Sequence, residues 1–221
     1  MRVVNFVLVP MKALAWGKSR MSPLLSEAAR RRLSRAMLTD VVTVALRTPT
    51  VEEVVVVSSD ATVLTLARQL GALAVDEEYP RGLTGAVNVG TEFCLHQGAT
   101  ALLVLLSDLP LVTSEEIASL FRQINGSPEI ILVPCKEGDG TNALLRVPPA
   151  VIAPCFGGPS LAAHQTAARH QGVPCRVVEV PGMAFDLDSI EDLRRFAAQR
   201  TETHTFQVLQ ELGVFAGHDK G

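Results

Sequence analysis

Residues 101–110 read ALLVLLSDLP. The first six are apolar without a break, whereas a strand with one wet face would alternate. Such a run predicts a central strand in a mostly parallel sheet, covered by helices on both faces. Asp108 then stands where that strand opens, and Pro110 stiffens the turn after it. In open α/β sheets ligands collect at the carboxyl ends of the strands, so Asp108 is the first candidate for chemistry. Its carboxylate suits a hard cation, although D-x-P read alone is more simply a plain turn.

Working outward, short β-branched runs alternate with helical patterns. Strands are expected at 3–9, 53–57, 72–75, 101–106, 129–133, 142–147 and 175–180. Helices are expected at 26–47 with Ser26 as cap, 61–70 stopped by Gly71, and 83–97 stopped by Gly98. Others follow at 114–124 capped by Ser114, at 159–170 stopped by Gly172, and at 189–199 capped by Ser189. This alternation is the pattern of an α/β domain with a mostly parallel central sheet. One domain is read over 1–200, with a tail at 201–221. Residues 206–215 of that tail can form a short amphipathic helix packed on the body, and the residues from Ala216 on are expected to be mobile.

The chain has 221 residues, 48% hydrophobic and 19% charged, with a net charge of −3. That is ample for one core and lacks the basic excess of a general nucleic-acid binder. No apolar run approaches the roughly 20 residues of a membrane helix. Arg2, the apolar run after it and Ala13-Leu14-Ala15 imitate a secretion signal, but Asn5, Pro10 and Lys12 break the pattern, and a buried first strand is expected instead. Cys94, Cys135, Cys155 and Cys175 form no C-x-x-C pair, so reduced thiols in a cytoplasmic protein are expected.

The first strand leads into Pro10, Lys12, Lys18 and Arg20. Gly17-Lys18-Ser19 resembles the end of a phosphate loop, but Lys12 stands where that loop needs its first glycine. What remains is a strand running into a cationic loop, which holds phosphate by side-chain charge or is simply a solvated basic loop. Asp186 and Asp188 lie two apart, on the same side of an extended segment, and two like charges there call for a cation between them. The competing reading makes Asp188 a helix cap. Gly140-Thr141-Asn142 and Phe156-Gly157-Gly158-Pro159-Ser160 supply flexible backbone and two hydroxyls that can donate to an anion. His164 lies one turn beyond Ser160, and for catalysis the plainer reading of a structural histidine is preferred. Together these groups suit transfer of a nucleotide to a phosphate, which is already mostly dianionic at neutral pH and needs no general base.

The ordered set P-x-K-x5-K-S-R at 10–20, D-L-P at 108–110, G-T-N-A-L at 140–144, F-G-x-x-S-x3-H at 156–164 and D-x-D at 186–188 resembles the guanylyltransferases of deazaflavin coenzyme F-420 biosynthesis. The resemblance covers nearly the whole chain. It implies a Rossmann-like nucleotide-diphospho-sugar-transferase fold and a reaction of GTP with a phosphorylated three-carbon acid, giving a guanosine diphospho-adduct and pyrophosphate. It implies Mg²⁺ on Asp108, Asp186 and Asp188, with the phospho-acid on Thr141, Gly157 and Ser160 and with Asn142 and His164 nearby. Pro10, Lys12, Lys18 and Arg20 would face the nucleotide, with Lys18, Arg20 and Asp108 carrying the catalysis. Thr84 stands where the family pattern has asparagine, at a base or ribose contact, and Asp60 is a candidate for the purine edge. The product would pass to the next enzyme of the pathway. Phosphoenolpyruvate, 2-phospho-L-lactate and 3-phosphoglycerate all remain open as acceptor. The arginine- and alanine-rich composition hints at a bacterium, which favours the first. Alternatives are another enzyme on the same scaffold, such as a molybdenum-cofactor nucleotidylyltransferase or a glycosyltransferase, or a non-catalytic nucleotide-binding protein.

Overall fold

Every residue of the strand Ala101–Leu105 is buried, as its unbroken apolar run requires. A computed structural model describes residues 3–14 and 18–214. Its seven strands are β1 (Asn5–Pro10), β2 (Glu53–Ser58), β3 (Leu73–Asp76), β4 (Ala101–Leu105), β5 (Glu129–Pro134), β6 (Thr141–Val147) and β7 (Cys175–Val177). They form one sheet in the order β3-β2-β1-β4-β6-β5-β7. All neighbours pair in parallel except β6, which is antiparallel to both β4 and β5.

The helices are α1 (Glu27–Leu46), α2 (Ala61–Leu70), α3 (Gly82–His96), α4 (Ser114–Arg122), α5 (Ser160–Gln171), α6 (Pro181–Ala184), α7 (Ile190–Ala198) and α8 (His204–Glu211). Alternate strand residues feed opposite faces. Val7, Val9, Leu103 and Leu105 pack with α1, α2 and α4. Phe6, Leu8, Leu102 and Val104 pack with α3 and α5. Gly90 lets α3 lie tight on the sheet, because a Cβ there would stand 2.5 Å from Leu8 and 2.7 Å from Val57. A third cluster lies off the sheet. Met21, Leu33 and Met37 meet Leu187, Leu193, Phe196 and Leu209 there, which ties α1, α7 and α8 together.

Several boundaries differ from the sequence reading. Thr113, not Ser114, caps α4, because Thr113 and Glu116 complete a reciprocal capping box. The strand expected at 175–180 ends at Val177, and the chain turns through α6 instead. Ser189 caps α7 in a second box with Asp192, so Asp188 is not the cap. The tail helix is α8, held by Asp40 of α1, whose carboxylate accepts from the backbone N–H of His204 and Thr205 at 2.8 and 2.9 Å. The expectation for residues from Ala216 on lies outside the described residues. All four cysteines are free, and no described helix is long and apolar enough to cross a membrane.

Candidate active site

The chain leaves β1, passes to β2 and β3 on one side, and returns to β4 on the other. A crevice therefore opens at the carboxyl ends of β1 and β4, between α1 on one face and α3 on the other. A cleft of about 350 Å³ occupies this place. Pro10, Met11 and Lys12 reach it from β1, and Lys18 and Arg20 from the loop and short 3-10 turn that follow. Leu106, Ser107 and Asp108 reach it from β4, Asp188 from just before α7, and Ser34 and Met37 from α1. A larger depression of about 580 Å³ lies on α5, but alanines dominate its lining and it holds neither lysine nor carboxylate. The charged side chains gather in the smaller cleft.

Lys18 stands between the acids. Its ammonium lies 2.8 Å from Asp108 Oδ2 and 3.4 Å from Asp188 Oδ1, with only 7% of its side chain exposed. Burial opposes the charge on Lys18, but Asp108 and Asp188 outweigh that penalty and its pKa is raised. The backbone of Lys18 is left-handed, with φ of 56°, an uncommon and costly conformation for a side chain of this kind. Arg20 reaches the other oxygen of Asp188 at 3.1 Å while remaining largely exposed.

Asp186 joins the cluster from the side. The N–H of Leu187 donates to the carbonyl of Asp108 at 3.0 Å, which fixes the D-x-D segment against the end of β4. Burial, and next the charge of Asp108, raise the pKa of Asp186. Among the described residues no three acidic, histidine or cysteine side chains form a metal-ligating group. One carboxylate oxygen of the type a hard cation takes is still open: Asp108 Oδ1 is buried and has no hydrogen-bond partner among them.

The second group of polar residues lies around the start of β6 and of α5. His164 is fully buried. Its Nε2 accepts from the Cys155 N–H at 2.8 Å, so the proton sits on Nδ1 and is donated to Thr141 Oγ1 at 3.1 Å. Ser160 Oγ in turn accepts from the Thr141 N–H at 2.9 Å. Each hydroxyl thus has a lone pair engaged by the protein, and its own hydrogen is left to donate. Gly157 has φ of 101°, which only glycine adopts readily, and it turns the backbone just before Ser160. Burial and the charge of Arg146 lower the pKa of His164 to about 4. It is neutral at pH 7 and positions Thr141 rather than moving protons.

Between about 6.5 and about 4 the unfolded chain binds a proton at this position and the folded chain does not. His164 therefore contributes stability fully above the higher value, lost as pH falls toward the lower, by roughly 3 kcal/mol. Urea unfolding at pH 7 and pH 4.5 measures this. In His164→Gln the drop between the two should shrink by about 2.5 kcal/mol, the part of that change lying in this window, and an unchanged drop contradicts the assignment.

Three expected ligand contacts have other work. Asn142 Nδ2 donates to the Met183 carbonyl at 3.0 Å and to Asp186 Oδ1 at 3.3 Å, so it orients an acidic residue. Asp60 caps α2 through Thr62 N–H at 2.8 Å and holds Leu14 N–H at 3.0 Å, leaving both oxygens engaged. Thr84 Oγ1 exchanges hydrogen bonds with the Phe156 backbone, each at 3.0 Å, and braces the loop that carries Gly157. Neither Asp60 nor Thr84 lines the cleft. Sequence reading also missed Lys136. It pairs with the buried Asp192, and its charge reaches Asp186. Lys136 thereby ties the β5–β6 turn to the start of α7. Gly138-Asp139-Gly140 marked the turn, but nothing local marked the lysine.

The chain is similar to proteins already known. A family model described as guanylyl transferase CofC-like matches residues 5–221. A phosphoenolpyruvate guanylyltransferase of Rubrobacter xylanophilus is 42% identical over 87% of this chain and 93% of its own length. A 2-phospho-L-lactate guanylyltransferase of Methanothermobacter thermautotrophicus is 30% identical over 93% of this chain and 89% of its own. Among solved structures, one described as a putative nucleotide-diphospho-sugar transferase from Desulfovibrio desulfuricans G20 superposes with a TM-score of 0.76. It is 13% identical, and the match covers 96% of each chain.

Proposed function

The chain belongs to the CofC-like guanylyl transferase family and is a nucleotidyltransferase, and we propose that it condenses GTP with phosphoenolpyruvate. The products are a guanosine diphospho-adduct and pyrophosphate, and the reaction serves coenzyme F-420 biosynthesis. The observation that carries this reading is Lys18 held between Asp108 and Asp188 at the crevice between β1 and β4. A buried cation next to acids that suit a metal is what a triphosphate and its counter-ion require. The preference for phosphoenolpyruvate over 2-phospho-L-lactate rests on the greater similarity to the relative named for it.

Magnesium, when bound, supplies charge neutralisation for the triphosphate, and Asp108, Asp186 and Asp188 would hold it. The protein's own groups do the rest. Lys12, Lys18 and Arg20 neutralise the triphosphate from the cleft wall. The free hydroxyl hydrogens of Thr141 and Ser160 donate to the phospho-acid and set it facing the α-phosphorus. The acceptor's phosphate oxygen attacks, the bond to the β-phosphate breaks, and pyrophosphate leaves. No side chain needs to accept a proton in this step, in keeping with a neutral, buried His164.

The test is direct. GTP and magnesium are supplied with phosphoenolpyruvate, 2-phospho-L-lactate or 3-phosphoglycerate, pyrophosphate release is followed, and the adduct is identified by mass spectrometry. Release with phosphoenolpyruvate at the highest kcat/KM is expected. No release with any acid would overturn the reading, and a clear preference for another acid would overturn the choice of acceptor.

A further inference from the structure

Three threonines inside helices of this protein satisfy their hydroxyls locally. Thr39, Thr65 and Thr91 each donate to the carbonyl four residues earlier, at 2.9, 2.8 and 2.6 Å. That back-bond is the usual way to satisfy a hydroxyl inside a helix. Ser34, in the middle of α1, departs from it. It is 3% exposed, its Oγ has no hydrogen-bond partner among the described residues, and it lines the cleft beside Lys12, Lys18 and Arg20. A buried hydroxyl without a partner is unfavourable for folding. Nothing in the packing of α1 calls for it, since Leu33, Met37 and Leu38 around it are plain core residues.

We propose that Ser34 is a ligand-binding residue whose hydroxyl donates to a phosphate oxygen of the bound nucleoside triphosphate, on the portion released as pyrophosphate. The inference rests on the reading of this cleft as a triphosphate site. The chemistry points to phosphate because three cations gather along the same wall. Of the remaining neighbours, Met37, Leu83 and Leu106 are apolar, and Ser107 makes no hydrogen bond to Ser34 Oγ. Asp188 is engaged by Lys18 and Arg20 and Asp108 by Lys18 through Oδ2, while the free Oδ1 of Asp108 makes no bond to Ser34. On this reading the oxygen that Ser34 lacks comes with the ligand.

Ser34→Ala removes one oxygen and places the best helix former in a long helix, so folding is not at risk. The melting temperature of the ligand-free variant should equal or exceed that of the wild type. Affinity for GTP and for inorganic pyrophosphate, both read by calorimetry, should fall by about tenfold, the usual effect of losing a hydrogen bond to a charged acceptor. KM for the phospho-acid should not move. A structural role would lower the melting temperature together with affinity, so opposite signs identify a ligand contact. Unchanged GTP and pyrophosphate affinity overturns the proposal. So does a loss for GTP alone, which would place the hydroxyl at the ribose, or an equal rise in KM for the acid. Absence of adduct formation by the wild type is a separate failure, of the acceptor reaction, and leaves the binding measurements to judge Ser34. A wild type that binds neither GTP nor pyrophosphate overturns both.

Discussion

Asp108→Asn lowers kcat by about 10³-fold or more, roughly 4 kcal/mol of transition-state stabilisation, while the protein keeps wild-type stability. Asparagine keeps the shape and one acceptor oxygen, so the ending of β4 and its turn are preserved. What disappears is charge. In the ligand-free protein that loss is nearly balanced: Lys18 forfeits its 2.8 Å partner but keeps Asp188, and Asp186 is relieved of a like charge that helps raise its pKa. During turnover nothing balances it. The oxygen left without a partner, Oδ1, belongs to this carboxylate, and it is the group best placed to hold a cation against the triphosphate. Steady-state kinetics with saturating magnesium, paired with urea unfolding, checks both halves. A kcat within tenfold of wild type would remove Asp108 from the metal set, and a large loss of stability would make its role structural.

The sheet was legible because burial writes itself locally. The unbroken run of β4, the caps Ser26 and Ser189, and the stops Gly71 and Gly172 all depend on residues within a few positions. The Thr113 box was equally local: T-x-x-E stood in the sequence, and the serine beside it was read instead. Asn142 is different in kind. Its partners lie in α6 and the D-x-D segment, more than forty residues away, and only the fold of β6 against β4 brings them together. The same holds for Lys136 with Asp192 and for Asp60 with Leu14. Residue types identified which side chains are chemically useful, whereas hydrogen-bond partners decide which are still free to bind a ligand. Thr141 and Ser160 keep a hydrogen to donate, and Asn142 and Asp60 are committed.

The third hydrophobic cluster explains how two remote acidic segments hold their places. Leu187 sits between Asp186 and Asp188 and is fully buried with Met21, which directly follows Arg20, and with Leu209 of the tail helix. Burial of side chains of this size stabilises by about 1.5–3 kcal/mol each. One apolar contact group therefore sets the distance between the cationic loop and the D-x-D segment, and α8 is part of it.

Lys18 is where those two segments meet, and Lys18→Met should move two observables in opposite directions. The ammonium now does the work of a counter-ion for Asp108 and Asp188. With methionine in its place Asp108 loses its counter-ion and Asp188 keeps only the exposed Arg20, so a divalent cation binds the nucleotide-free variant more tightly, read as a lower Kd for Mn²⁺ by calorimetry or electron paramagnetic resonance. Turnover falls nonetheless, with kcat/KM for GTP dropping by about 10³-fold, because the buried positive charge that meets the triphosphate is gone. Arginine should not restore activity, since its planar fork is longer and fits neither the 2.8 Å contact nor the left-handed backbone that aims this side chain. Weaker Mn²⁺ binding in the methionine variant would show that the acids do not share a metal position with the ammonium. Unimpaired turnover would show that Lys18 is there only to keep two carboxylates apart.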